Sequence, residues 1–167
     1  MTTTARGRPP DLLRALRAKL RRDMPITKAL GLRVVGNEGG GLVLSSPLEP
    51  NINHKGTAFA GSLNATATLA GWGTIWLLLR EHGIRSHVVI QDSTVHYFRP
   101  VTGDFTACCR APSPGAVERL VNAVRRRGRG RIELDVLVAD ASGDAVRFHG
   151  RYVATTDGGA APHRHPA

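Results

Sequence analysis

A polar loop, Asn53-His54-Lys55-Gly56-Thr57, runs directly into an uncharged segment that extends from Ala58 to Leu79. A helix that is apolar on every side must be surrounded by protein or lipid, so this segment is expected at the centre of the structure. The first amides of a helix have no partner within the helix and can donate to a ligand. We therefore expect the functional site where the loop meets the helix.

The central segment is long enough to span a membrane. Its hydrophobicity is diluted by three glycines and by polar residues at five positions, Ser62, Asn64, Thr66, Thr68 and Thr74. It also lies between strand-like sequences, and no second span accompanies it. The polar start of the chain does not read as a signal peptide. We predict a cytoplasmic protein without a membrane span.

A chain of 167 residues suits one domain and needs no disulfide or metal to form a core. The adjacent Cys108 and Cys109 should point to opposite faces of a strand, and they lack the spacing of a metal site. His163 and His165 near the C-terminus are too few to hold a metal ion by themselves. We expect no metal site.

The net charge of +10 comes from 23 Lys and Arg against 13 Asp and Glu. Much of it falls in two clusters, Arg14, Arg17, Lys19, Arg21 and Arg22 in the first, and Arg125, Arg126, Arg127, Arg129 and Arg131 in the second. Each cluster is either a solvated helix face or a surface that attracts phosphate. No aromatic residues interleave with the arginines, so stacking on single-stranded nucleic acid is not favoured.

Glycine, proline and hydrophobic periodicity divide the chain into regular elements. Helices are expected at 11–22, 58–79 and 115–127 with a short helical turn at 25–30, and strands at 32–37, 42–46, 87–99, 104–110, 131–139 and 144–155. This order indicates an α+β fold, an antiparallel sheet with its helices on one side. Residues 9–24 form a basic amphipathic helix ahead of a domain at 25–156, and residues 1–8 and 157–167 are expected to be disordered.

Three motifs identify a family resemblance: Asn-His-Lys-Gly-Thr-Ala-Phe at 53–59, Gly-Trp-Gly at 71–73 and Val-Ile-Gln-Asp-Ser at 89–93. Together they resemble the hotdog-fold thioesterase domain named after the C-terminal part of YiiD, over about residues 26–155. The resemblance implies an antiparallel sheet wrapped around a long central helix. It also implies hydrolysis of acyl-coenzyme A or acyl carrier protein thioesters at the interface of a homodimer or a dimer of dimers. No cofactor is required beyond the coenzyme A or phosphopantetheine of the substrate.

In hotdog thioesterases the thioester carbonyl is bound by amides at the start of the central helix. The matching residues here are Ala60, Gly61 and Ser62, and the helix dipole adds positive potential at this point. The remaining substrate-binding candidates lie in the loop and the first turns of the helix, at Asn53, His54, Gly56, Thr57 and Asn64. The competing interpretation is that Gly56 and Gly61 only permit tight turning and close packing.

Many hotdog thioesterases carry a carboxylate in the helix where this chain has Thr68, and His-Gly-Gly where it has 59–61. Others use an Asp, a Gln and a hydroxyl around one water, which makes Asp92, Gln91 and Thr68 the candidate catalytic set. His54 is an alternative base, a phosphate ligand, or a helix cap together with Asn53. A structural hydrogen bond is the competing role for Asp92 and equally for Asn64 and Thr68.

Strand alternation limits which of the candidate bases can face the helix. Even-numbered residues should share one side of the strand, Val88, Ile90, Asp92, Thr94 and His96. Without a bulge, only one of Gln91 and Asp92 can therefore face a given pocket. Trp72 and Trp76 either close the acyl slot or belong to the core.

Three other functions remain open. A hydratase or dehydratase shares the fold, but its expected His and carboxylate are not evident. A non-catalytic acyl-thioester-binding protein is favoured by the missing helix carboxylate. A basic nucleic-acid binder is the least favoured of the three.

Overall fold

The computed structural model describes residues 10–38 and 41–156. Its elements, in chain order, are α1 (Pro10–Asp23), α2 (Ile26–Ala29), β1 (Arg33–Glu38), β2 (Gly41–Ser46), a 3-10 turn (Glu49–Asn51), α3 (Ala60–Glu81), β3 (His87–Tyr97), β4 (Phe105–Cys109), α4 (Pro114–Arg127), β5 (Arg129–Asp140) and β6 (Gly143–Thr155). The expected helices and strands are all present. The expectations for residues 1–8 and 157–167, including His163 and His165, fall outside the described residues.

The strands form one antiparallel sheet in the order β1-β2-β4-β5-β6-β3, so β1 and β3 are its edges. Along β5 the inward positions Gly130, Ile132 and Leu134 are buried, and the residues between them are exposed. The helix α3 contacts five of the six strands, and α4 packs on Gly130, on the same buried face. The predicted α+β arrangement, an antiparallel sheet wrapped around a long helix, is confirmed.

Close contact with the sheet and with α1 explains why α3 carries two glycines in its middle. A Cβ at Gly71 would lie 2.2 Å from the Tyr152 hydroxyl, and one at Gly73 would lie 2.6 Å from a methyl group of Leu42. Every residue from 69 to 79 is buried, and the Trp72 indole donates to the Val88 carbonyl at 2.9 Å. The second half of the helix is therefore surrounded by protein. No helix in the described residues is apolar enough over a sufficient length to cross a membrane.

The strand β3 contains a bulge that changes which of its residues face α3. Ile90 lies opposite Tyr152 on β6, but Asp92 lies opposite Arg151, so Gln91 is the extra residue. An extra residue reverses the alternation beyond it. Ser93 lies opposite Gly150 and faces inward, whereas Asp92 faces outward. The prediction that Ile90 and Asp92 share one side is therefore wrong.

Candidate functional site

The first turn of α3 leaves two backbone amides without a partner. Phe59 precedes the helix in an extended conformation, and its carbonyl accepts from the amides of Ser62 and Leu63 at 3.0 and 3.1 Å. The amides of Ala60 and Gly61 have no acceptor among the described residues, and both residues are exposed. The candidate donors are thus Ala60 and Gly61, because the amide of Ser62 is already used. The helix dipole favours negative charge at this position.

The loop ahead of α3 is held by its own side chains. The Asn53 carboxamide oxygen accepts from the amides of Lys55 and Thr57 at 2.8 and 3.2 Å, and its nitrogen donates to the Thr57 hydroxyl at 2.9 Å. Gly56 has a φ of 78°, a conformation that other residues rarely adopt. No side chain among the described residues caps α3, so the helix cap considered as one alternative for His54 and Asn53 is not observed. His54 and Lys55 are exposed in the same loop.

The buried carboxylate of Asp140 holds the loop ahead of α3 in place indirectly, through the segment at Val101 and Thr102. The Ala58 amide donates to the Val101 carbonyl at 2.8 Å, and the next amide, that of Thr102, donates to Asp140 at 3.1 Å. Asp140 also pairs with Arg99 at 2.7 Å, and its side chain is 2% exposed. The Arg99 hydrogen bond holds the pKa of Asp140 well below its usual range. This anchor was not predicted, because Arg99 and Asp140 lie 41 positions apart in the sequence.

Two aromatic side chains flank the start of the helix. The Tyr97 hydroxyl donates to the Ala60 carbonyl at 3.2 Å, and partial burial raises the pKa of Tyr97. The Phe59 ring lies over Gly61, where an added Cβ would be 2.2 Å from a ring carbon. Tyr97 belongs to a strand named among the sequence motifs, but its contact with α3 was not predicted.

An accessible stripe runs along the first half of α3. Before Arg80, the helix residues that are not buried are Ala60, Gly61, Asn64, Ala65 and Thr68. They are spaced three, four and seven residues apart, which places them on one face of the helix. The Tyr97 and Trp72 hydrogen bonds direct this face toward β3, where the inward residues Ser93 and Tyr97 are exposed. We refer to this exposed surface between α3 and the edge strand β3 as the groove.

Asn64 and Thr68, on the accessible stripe of α3, carry polar atoms without a hydrogen-bond partner in the described part of the chain. The Asn64 carboxamide oxygen is buried without a hydrogen-bond partner, and the Thr68 hydroxyl has no partner among the described residues. In contrast, the hydroxyls of Thr66 and Thr74 donate to carbonyls of the preceding turn at 2.9 Å. The purely structural role considered for Asn64 and Thr68 is thus not observed.

Asp92 lies on the outer face of the sheet, away from the groove. Its carboxylate pairs with Arg151 at 3.0 Å, and Arg151 also pairs with Glu133 at 2.9 Å. Gln91 is exposed at the bulge. The structure therefore brings Gly61, Asn64 and Thr68 together but does not bring Asp92 to them within one chain. Asp92 was expected near Gln91 and Thr68. It lies on the outer face instead, because the bulge at Gln91 reverses the alternation of side chains along β3.

Comparisons with known proteins agree with this architecture. Residues 13–156 match the profile of a family described as "Putative thioesterase (yiiD_Cterm)". A similar crystal structure is that of the protein OLEI01261 with unknown function from Chlorobaculum tepidum TLS, at 30% identity and a TM-score of 0.86, covering 92% of this chain and 100% of that one.

Two further structures carry the thioesterase name. A "putative thioesterase" from Shewanella oneidensis is 28% identical with a TM-score of 0.79, covering 88% of this chain and 99% of that one. A mutant of thioesterase PA1618 from Pseudomonas aeruginosa shares the fold at 17% identity and a TM-score of 0.68, covering 89% and 97%. The sheet and its enclosed helix have the hotdog fold, and the chain belongs to the YiiD C-terminal thioesterase-like family.

Proposed function

We propose that the protein hydrolyses acyl thioesters of coenzyme A or acyl carrier protein, as a cytoplasmic homodimer or dimer of dimers. One observation carries the proposal. The unpaired amides of Ala60 and Gly61 lie at the head of an accessible stripe on an otherwise buried helix. Free donors beside an exposed helix face support binding of a thioester carbonyl, with its acyl chain along the groove.

In the proposed reaction the thioester carbonyl oxygen lies against the Ala60 and Gly61 amides. Water attacks the carbonyl carbon, and negative charge develops on the oxygen that these amides face. The carbon–sulfur bond then breaks, the thiol leaves with a proton, and a carboxylic acid remains. One such donor typically contributes on the order of 10²–10³ in rate.

The attacking water is positioned by the Asn64 carboxamide and the Thr68 hydroxyl. Neither group is a base at neutral pH, so water is activated chiefly by orientation and by the polarised carbonyl. His54 and Lys55, exposed in the loop ahead of the helix, attract the phosphate of the substrate carrier.

The groove is completed by a second copy of the chain. The edge strand β3 is 11 residues long, and its Val89 and Tyr97 are 58% and 47% exposed. Long, exposed edge strands with apolar residues are uncommon in monomeric proteins. Pairing of β3 with the same strand of another copy extends the sheet and covers the groove. Gln91, at the bulge of this strand, then lies close to the interface and adds a polar group beside the water.

A non-catalytic acyl-thioester-binding protein is the second candidate. It is favoured because the accessible stripe of α3 carries no carboxylate and Asp92 pairs with Arg151 on the other face. Such a protein retains the ligand instead of releasing a thiol.

Thiol release from acyl-coenzyme A and acyl carrier protein substrates of graded chain length tests the proposal. We expect turnover that Asn64→Ala lowers and Asp92→Asn leaves unchanged, because the groove contains the first residue and not the second. Tight ligand binding without thiol release would favour the binding protein. Loss of turnover in a folded Asp92→Asn variant would restore the carboxylate as the base.

A further inference from the structure

A shallow cavity of about 570 Å³, open to solvent, lies away from the groove, between α4 and the start of β5. It is lined by four arginines and two small residues, Arg119, Arg127, Arg129, Arg131, Ala123 and Gly130. Its volume falls within the range of small-molecule sites. No residue of the proposed thioester site lines it.

The cavity exists because β4 is shorter than β5. The strand β4 ends at Cys109, opposite Val136, so the first residues of β5 have no neighbouring strand on that side. The helix α4 lies there instead, and a Cβ at Gly130 would be only 2.9 Å from Leu120. The absence of a side chain at Gly130 thus lets α4 pack closely on β5. The cavity lies beside this contact, next to the short side chain of Ala123 and among the four arginines.

Backbone amides also point into this space. The Gly128 carbonyl accepts from Thr156 on the β6 side, and the Asp135 carbonyl accepts from Arg110 on the β4 side. Because backbone groups alternate along an antiparallel strand, the amides and the carbonyls of Arg129 and Arg131 point to the same side as the Asp135 carbonyl, beyond the end of β4. The cavity therefore combines backbone donors with guanidinium groups.

The four arginines have no carboxylate partner within the described part of the chain, and no carboxylate lines the cavity. Arg99 and Arg151, in contrast, are paired with Asp140 and Asp92. One structural role is available to Arg127, which lies in the last turn of α4 and complements the helix dipole. That dipole corresponds to only about half a negative charge, so most of the positive charge of the cavity remains unbalanced.

We infer that this cavity binds a small ligand carrying two or more phosphate groups. Guanidinium forks and backbone amides are the donors that phosphate oxygens match best. The concave shape, without interleaved aromatic residues, suits a compact ligand better than a nucleic-acid strand. The ligand is either the phosphoadenosine end of coenzyme A or a free nucleotide. The coenzyme A source rests on the proposed function, whereas phosphate binding does not.

Calorimetry on the full chain with adenosine 3′,5′-bisphosphate, coenzyme A, ATP and pyrophosphate tests the inference. The cavity variant is Arg127→Gln with Arg131→Gln, and the control is Arg14→Gln with Arg21→Gln on α1, which removes the same charge. We expect saturable binding that weakens about 100-fold in the cavity variant, roughly tenfold for each guanidinium–phosphate hydrogen bond that the variant cannot form. The control should bind as the unmodified chain does.

The probes separate the two sources of phosphate. Tighter binding of coenzyme A than of ATP indicates the substrate, and the cavity variant should then raise KM for acyl-coenzyme A but not for an acyl-pantetheine, which lacks the nucleotide. Equal or tighter binding of ATP indicates a free nucleotide. If no thioester is hydrolysed but the phosphate probes still bind, the proposed function fails and the cavity site stands.

Three results would overturn the inference. They are the absence of saturable binding up to millimolar ligand, equal weakening in the cavity and α1 variants, and retention of nucleic acid without binding of any small probe.

Discussion

Gly61 offers an unpaired amide and lacks a side chain, and the Phe59 ring fills the space that a Cβ would occupy. The sequence predicted a close approach at Gly61, because glycine lets another group come near the backbone. It did not predict that the group would be the neighbouring ring. That contact depends on the rotamer of Phe59, which the local pattern does not specify.

Substitution of Gly61 by alanine should lower turnover while the chain still folds. The new methyl group displaces the Phe59 ring, which is 56% exposed and free to move into the groove. The expected loss in kcat/KM approaches the roughly 10²-fold of a lost oxyanion donor. Thiol-release kinetics measure it, and Phe59→Ala combined with Gly61→Ala is the control. If the double variant does not regain turnover, displacement of the ring is not the cause.

Thr68→Val and Thr66→Val form a matched pair on α3. Thr68 has an unpaired hydroxyl in the groove, so its loss should reduce turnover and leave the free energy of unfolding nearly unchanged. The Thr66 hydroxyl is buried and bonded to the Ser62 carbonyl, so its loss should cost about 1 kcal/mol of stability and spare turnover. Urea unfolding and thiol release measure the two effects. The reverse pattern would remove Thr68 from the site.

At the scale of elements, glycine and proline punctuation located the strands and helices, but it did not reveal the bulge in β3. The sequence did contain a sign of the bulge. The inward-facing residues have even numbers in the first part of β3, Val88 and Ile90, and odd numbers in its last part, Val95 and Tyr97. Such a change of parity requires one extra residue. The Arg99–Asp140 anchor had no comparable signal, because contacts between distant residues form only when the chain is folded.

The outer face of the sheet should make stability depend on pH. Hydrogen bonding to Asp135, at 2.9 Å, raises the pKa of His149 above 6.5 in the folded chain. Its stabilising effect is therefore complete below the unfolded pKa and is lost as pH rises through the raised folded value. Glu133 also lies 3.5 Å from the His149 imidazole, and Arg151 pairs with Glu133. Because the side chain of His149 is 46% exposed, we expect less than about 1 kcal/mol.

Urea unfolding at pH 5.5 and 8.5 measures this effect. The unmodified chain should lose more stability between the two values than His149→Gln does. An equal loss in both proteins would show that other groups govern the dependence.

At the scale of the whole molecule, the two edges of the sheet differ. The short edge strand β1 is contacted by α1, whose Arg17 donates to the Val34 carbonyl at 3.0 Å. The other edge, β3, is almost twice as long and borders the groove. The family resemblance implied a homodimer, and this asymmetry indicates which edge a second copy would use.

Val89→Lys should weaken the proposed homodimer and, with it, the proposed turnover. Lysine on an edge strand opposes pairing with another strand. Val35→Lys is a matched control, because Val35 is 55% exposed on the opposite edge strand β1. Sedimentation of both variants over a range of concentrations measures assembly. If Val35→Lys dissociates the dimer and Val89→Lys does not, β1 is the interface.

The two glycines in the middle of α3 restrict how this protein can respond to a ligand. Gly71 brings the helix against Tyr152 on one side, and Gly73 brings it against Leu42 and Leu16 on another. A helix clamped from both sides cannot slide or rotate without breaking these contacts. Any adjustment to a ligand must therefore come from the segment ahead of the helix and from the Phe59 ring, while the amides of Ala60 and Gly61 keep a fixed orientation.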